Sequence, residues 1–143
     1  MGGINLDPVS VELTYGLERI AMVLQHVESA YDVSWNDKVT YGALWWEKER
    51  QFSIYNFESA VVERIQKMFI LCEEECRTSL MAGLVFPAYD YALKCSHLFN
   101  ILDARRAISI TERESFIARI RELAKACAQG YLGTGGIDAC STA

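Results

Sequence analysis

The change of side-chain period between Val9 and Val27 constrains this chain more than any other feature. From Val9 to Gly16 apolar and polar residues alternate: Val9, Val11, Leu13 and Tyr15 against Ser10, Glu12, Thr14 and Gly16. That is the period of a half-buried strand. From Leu17 the spacing turns helical, with Leu17, Ile20, Ala21, Leu24 and Val27 three and four residues apart. The expectation is a strand that hands over directly to a helix. Its polar face offers a carboxylate, two hydroxyls and bare backbone, the makings of a small pocket floor. Arg19 falls in the first helical turn, where a cation gains nothing from the helix dipole. Its position therefore points to a ligand contact rather than to helix stabilisation.

The remainder reads as almost wholly helical. Asn36-Asp37 carries turn chemistry, and Thr40 can cap a helix running to about Phe57 with Trp45, Phe52 and Tyr55 on an aromatic face. A long helix from about Glu58 has Val61, Ile65, Phe69, Cys72, Cys76 and Leu80 as its inner stripe, and Gly83 ends it. Pro87 suits the first turn of the next helix, where a missing N–H costs nothing. Ala88, Tyr91, Ala92, Cys95, Phe99 and Leu102 face inward there. Thr111 and Glu114 have capping-box spacing for a last helix through Ile117, Ile120, Ala124, Cys127 and Tyr131.

With 143 residues, 51% of them hydrophobic, the chain can bury a core. No apolar run approaches the roughly 20 residues of a membrane span, and the start has no signal-type segment. Five Cys without framework spacing fit a reducing, cytoplasmic setting. The net charge of −5 excludes a general nucleic-acid binder. The charge is uneven, however. Arg105, Arg106, Arg113, Arg119, Arg121 and Lys125 make the later helices the one surface suited to an RNA. Cys72, Cys76, Cys95 and His97 have the atoms of a zinc site, but the cysteines lie on apolar stripes, where a thiol behaves as a small hydrophobe. No metal site is expected, and no Cys–His nucleophile pair. His26 and His97 read as structural. Glu73-Glu74-Glu75 reads as a solvated face, and Trp45-Trp46 as core rather than a base-stacking platform.

Gly16-Leu17-Glu18-Arg19 resembles motif 3 of class II aminoacyl-tRNA synthetases. Longer stretches resemble the alpha subunit of bacterial glycyl-tRNA synthetase: Gly2-Gly3-Ile4, Leu6-Asp7-Pro8-Val9-Ser10-Val11-Glu12, Thr14 through Met22, Tyr55-Asn56-Phe57-Glu58, Leu93-Lys94-Cys95-Ser96-His97 and Leu102-Asp103-Ala104-Arg105 among them. The likeness runs in one register from residue 2 to about 132. It implies a mainly α fold, in which residues 1–30 are a motif 3 strand–helix remnant of the class II antiparallel sheet and 31–132 a C-terminal helical bundle. Residues 133–143 are expected to fray.

The resemblance also implies an activity, ATP-dependent formation of glycyl-adenylate and transfer of glycine to tRNA(Gly), with Mg²⁺ entering as part of the ATP complex. On that reading Arg19 lies over the adenine and reaches the γ-phosphate, and Gly16 lets the backbone approach ATP. Glu12 and Thr14 meet the glycine ammonium, and Glu18 holds the arginine or the backbone. The implied partners are a beta subunit and a second alpha subunit, with no membrane. Gly2-Gly3 aligns with the middle of that subunit, so motifs 1 and 2 are expected upstream and the chain alone is expected to be inactive. Two other readings use the same residues, a non-catalytic helical interaction module and a nucleotide-binding paralogue.

Overall fold

The computed structural model describes Asn5 and residues 7–133. Five helices and one two-stranded antiparallel sheet form α1 (Leu17–Gln25), β1 (Ser34–Asn36), β2 (Val39–Thr40), α2 (Tyr41–Ile54), α3 (Val62–Met81), α4 (Val85–Ala104) and α5 (Ile110–Gly133). The chain is thus mainly α, with a short sheet and a helical bundle. It divides into two compact units, Leu6–Ser59 and the residues from Ala60 onward together with Asn5. The boundary expected after residue 30 falls inside the first of these.

Two polar side chains explain why the first unit extends past residue 30. The Gln25 carboxamide pairs with the backbone of Ser34 as a neighbouring strand would: Nε2 donates to Ser34 O at 3.1 Å, and Oε1 accepts from Ser34 N at 2.7 Å. The end of α1 is thereby fastened to β1. Between them Ser29 Oγ accepts from Tyr31 N at 3.2 Å and starts a 3₁₀ turn over Ala30–Asp32. The Asn36 side chain closes the hairpin, accepting from Lys38 N at 2.9 Å and Val39 N at 3.0 Å. The sequence reading foresaw this turn but not the strands on either side of it. Each strand is three residues or fewer, too short for a period to show.

Thr40 caps α2 as expected, with Oγ1 accepting from Ala43 N at 3.2 Å. The helix ends at Ile54, and a wider π turn covers Tyr55–Ser59. Gly42 lets α2 press against the 3₁₀ turn; a Cβ there would lie 2.8 Å from Tyr31 O. The Tyr31 hydroxyl donates to Glu49, and its ring meets Trp46 edge-on at 4.9 Å.

The second unit is a three-helix bundle. Ile65, Phe69 and Cys76 of α3, Ala88, Ala92, Cys95, Phe99 and Leu102 of α4, and Leu123 and Cys127 of α5 are buried in one cluster. The stripes read from the sequence on α3 and α4 are the ones that face inward, although Val61 is exposed and Cys72, Leu80 and Tyr91 are only partly covered. Leu123, fully buried, is absent from the expected α5 stripe, and Tyr131 at its far end is exposed. Gly83, at φ 73°, ends α3 in the left-handed region that glycine adopts without a Cβ penalty. Pro87 lies in the first turn of α4.

The capping box on α5 is Ser109 with Glu112, not Thr111 with Glu114. Glu112 Oε2 accepts from Ser109 N at 2.7 Å, and Ser109 Oγ from Glu112 N at 3.2 Å. Both pairs have the spacing, and the backbone chose the one preceding the first helical turn.

Glu73 also departs from expectation. It is no solvated residue: its side chain is 12% exposed and ion-paired to Arg77 at 2.9 Å and to Arg119 of α5. The Arg119 guanidinium lies over Phe69 and Phe116, 4.6 and 5.3 Å from their ring centroids. Arg119, then Arg77, hold the Glu73 carboxyl below its ordinary range of about 4.5 against the opposing effect of burial.

Removing one partner of such a pair leaves the other charge poorly compensated. Glu73→Ala is expected to cost about 2–3 kcal/mol in urea unfolding at pH 7. Because the folded-state carboxyl titrates lower than the unfolded one, its contribution is complete above pH 4.5 and is lost as the pH falls through the folded value. Glu73→Gln should therefore flatten the acid side of the stability–pH curve relative to the parent chain.

Candidate functional site

Residues 9–16 do not form a strand. No ladder includes them, and both sides of the segment are in solvent: Val9 is 78% exposed, Val11 83%, Leu13 77% and Tyr15 73%. Alternation specifies which side chains share a face. It cannot supply the neighbouring backbone that a strand requires for its N–H and C=O groups. The face-sharing itself survives in one contact, where Thr14 Oγ1 donates to Glu12 Oε1 at 2.5 Å. Glu12 and Thr14 thus present their oxygens together, as the two-residue spacing predicts.

Gly16 is the joint between this segment and α1. It sits at φ 78°, ψ 121° and precedes the helix without a capping side chain. Any residue with a Cβ would be strained there, so the path into α1 depends on this glycine. Its carbonyl accepts from Ile20 N at 3.4 Å, and the helical ladder begins.

Arg19 lies in the first turn of α1, as its position in the sequence requires, and is exposed. It borders two open clefts, one of about 360 Å³ with Tyr15, Ile20, Val23 and Leu24, the other of about 570 Å³ with Met22, Val23, His26 and Val27. Among the described residues no carboxylate pairs with its guanidinium, neither Glu18 nor Glu28. Glu18 borders a different cleft of about 380 Å³, with Gln25, Ser34, Trp35 and Tyr41. The four residues singled out from the sequence are close in the chain, and of them Arg19 is the one that borders the clefts described here. Tyr15, not Glu12 or Thr14, shares a cleft with Arg19. Gln25 escaped the sequence reading; its role rests on a contact nine residues away that no local pattern announces.

Some of the basic residues named for an RNA surface are already paired within the bundle. Arg119 is committed to Glu73, and Arg113 to Asp103 at 3.2 Å. Arg106, Arg121 and Lys125 are exposed. The surface suited to an RNA is thus smaller than the count of cations suggests.

The thiols are core. Cys76, Cys95 and Cys127 are buried, and burial pushes the Cys76 and Cys95 thiols up to about 12. Cys95 Sγ donates to Phe69 O at 3.8 Å. Among the described residues no three His, Cys, Asp or Glu side chains are placed to hold a metal ion. His97 is exposed on α4, and His26 ends α1 at φ 55°. Trp45 is half-buried beside Tyr41 and under the Lys48 ammonium. Trp46, read as core, is 54% exposed and meets the Tyr31 ring edge-on. No helix among the described residues is long and apolar enough to cross a membrane.

The chain thus turns through Gly16 into a helix that carries Arg19, and an α-helical bundle follows in sequence. The family described as glycyl-tRNA synthetase alpha subunit matches residues 1–135. The chain belongs to that family, and so to the aminoacyl-tRNA ligases of protein biosynthesis.

The pairing of residues 9–15 is open to a direct measurement. With no ladder to protect them, their amides should exchange within seconds at pH 7 and 25 °C, while those of Phe69, Cys95 and Leu123 outlast them by several orders of magnitude. Protection at Val11 and Leu13 in a monodisperse monomer would show that the segment finds a strand partner within the chain.

Proposed function

We propose that this chain supplies the ATP- and glycine-binding elements of a class II glycine–tRNA ligase. The observation that carries the reading is Arg19, an exposed guanidinium in the first turn of α1, beside open clefts and with no carboxylate partner among the described residues. A permanently charged planar group held ready in this way suits a nucleotide, whose adenine it can stack on and whose γ-phosphate it can grip. Gly16 brings the backbone close without a Cβ in the way. Glu12, paired with the Thr14 hydroxyl, offers a counter-charge and an acceptor to the glycine ammonium.

In this reaction the glycine carboxylate attacks the α-phosphorus of ATP, pyrophosphate leaves, and the acyl group passes from the adenylate to the 3′ end of tRNA(Gly). Mg²⁺ arrives with ATP and neutralises its phosphates. The protein's share is positioning and charge compensation. Arg19 holds the outer phosphate as negative charge moves onto the leaving pyrophosphate, and Glu12 keeps the amino group turned away from the phosphorus. The working enzyme in this reading contains a beta subunit and paired alpha subunits, and it acts in the cytoplasm. A module that served only for interaction would have no use for Glu12, Thr14, Gly16 and Arg19 in one short segment.

The 143-residue chain by itself is expected to show no glycine-dependent ATP–pyrophosphate exchange above a mock-purified control, because Glu12 and Thr14 stand exposed to solvent and need a pocket around them to hold glycine. In the complete alpha–beta enzyme, Arg19→Ala should reduce kcat/KM for ATP about 30- to 150-fold, the loss of a charge-assisted, stacked contact of roughly 2–3 kcal/mol. Arg19→Lys should recover part of it, since an ammonium neither stacks nor forks. Glu12→Gln should act mainly on the KM for glycine. An unchanged glycine dependence in Glu12→Gln would remove Glu12 from the pocket and leave the contact to Thr14 and Gly16.

A further inference from the structure

The cleft bordered by Glu18 has a chemistry of its own. It lies between α1 and the β1–β2 hairpin, has a volume of about 380 Å³, and is walled by Leu17, Ala21, Val33, Trp35 and Tyr41 around the Glu18 carboxylate. Of the residues that line it, Glu18 alone is charged. Among the described residues no cation pairs with it. The Gln25 carboxamide and the Ser34 backbone satisfy each other. Trp35 is 60% exposed, and Tyr41 is half-buried. Burial, then the charges of Glu18 and Glu49, raise the Tyr41 hydroxyl above its usual range, so the field of Glu18 reaches that wall.

We propose that this cleft receives the guanidinium of an arginine side chain from a protein partner, with Glu18 as counter-charge and Trp35 and Tyr41 as aromatic walls. An anion is excluded by the sign of the site. A cation is favoured twice, by the carboxylate and by the negative faces of the rings. Between the two cationic side chains, a planar fork can stack on indole while pairing with a carboxylate, and it sheds water more readily than an ammonium does. A protein source is favoured by the rim, where Leu17 is 81% exposed next to Trp35. An apolar rim around one charged pocket suits an arginine flanked by apolar residues, the combination enriched at the centres of protein interfaces. A nucleic acid would bring phosphates against Glu18 and the nearby Glu49 field. Neither Arg19 nor Glu12 takes part, so the inference stands apart from the ATP and glycine assignments.

The test uses the 143-residue chain, ¹⁵N-labelled, titrated with acetyl-Leu-Arg-Leu-amide while the Trp35 indole N–H is followed by NMR, its resonance assigned from Trp35→Phe. Saturable shifts at Trp35 and at the Gln25 side-chain amide are expected at millimolar peptide. Replacing arginine by citrulline, which keeps the shape and removes the charge, should weaken binding at least about fivefold, and Glu18→Gln should do the same. Glu18→Asp should recover part of the affinity, and Trp46→Phe should leave it unchanged. Equal binding of the citrulline peptide, which needs no variant to fold, would overturn the proposal. So would an undiminished affinity in a folded Glu18→Gln. Equally tight binding of acetyl-arginine methylamide would overturn the protein partner in favour of a small ligand, and stronger shifts with hexauridylate would do so in favour of RNA.

Discussion

Phe69 is the residue on which the bundle depends. It has no exposed surface, and it meets α4 and α5 at once: its carbonyl accepts from Cys95, and its ring lies edge-on to Phe116 at 4.7 Å with the Arg119 guanidinium above it. Three helices with apolar stripes could pack in many rotational settings, since the hydrophobic effect has no direction. A ring that must fit between two helices, under a cation that must also reach Glu73, admits far fewer. The cost of misplacing it is large, as emptying a buried phenylalanine site commonly costs about 3–5 kcal/mol. The core therefore combines a non-specific attraction with one polar anchor that sets the register of α5 on α3.

The first unit is built on a different principle. Among its described residues only Val33 is buried, so apolar burial alone cannot account for its order. Directional contacts take over: the Gln25 amide on Ser34, the Asn36 side chain in the hairpin turn, Tyr31 between Glu49 and Trp46, and the close approach that Gly42 permits. Such an element holds its backbone while leaving its apolar side chains outside. Leu17, Val23 and Leu24 on α1 are all more than 70% exposed. Arg19 shares this helix, so the guanidinium is carried on an element fixed at its far end and open along its length.

The chemistry of the two units follows from this difference. Cysteines in the bundle are desolvated until their thiols resist ionisation, which suits packing and opposes nucleophilic or metal chemistry. In the first unit Arg19 and Glu18 are exposed, which suits contacts made to something outside the chain. Arg19 and Glu18 stand side by side in sequence yet border separate clefts, because successive residues on a helix point about 100° apart. One short turn can thereby present a cation to one ligand and an anion to another.

The amino-acid sequence by itself determined the helices, the inward stripes of α3 and α4, the Thr40 cap and the place of Arg19. These are set by periods and caps that act within a few residues. It also carried the family, through long runs of matching residues rather than through any physical pattern. Only the tertiary structure decided the rest. Alternation at Val9–Tyr15 named a face but could not supply the neighbour that would make it a strand. Two capping boxes were written on α5, and the start of the helix selected Ser109 with Glu112. The fates of Glu73 and Arg119 were settled by each other across 46 positions, and Gln25 gained its role from a backbone nine residues on. Such contacts depend on which surfaces the folded chain brings together, and no local spacing encodes that.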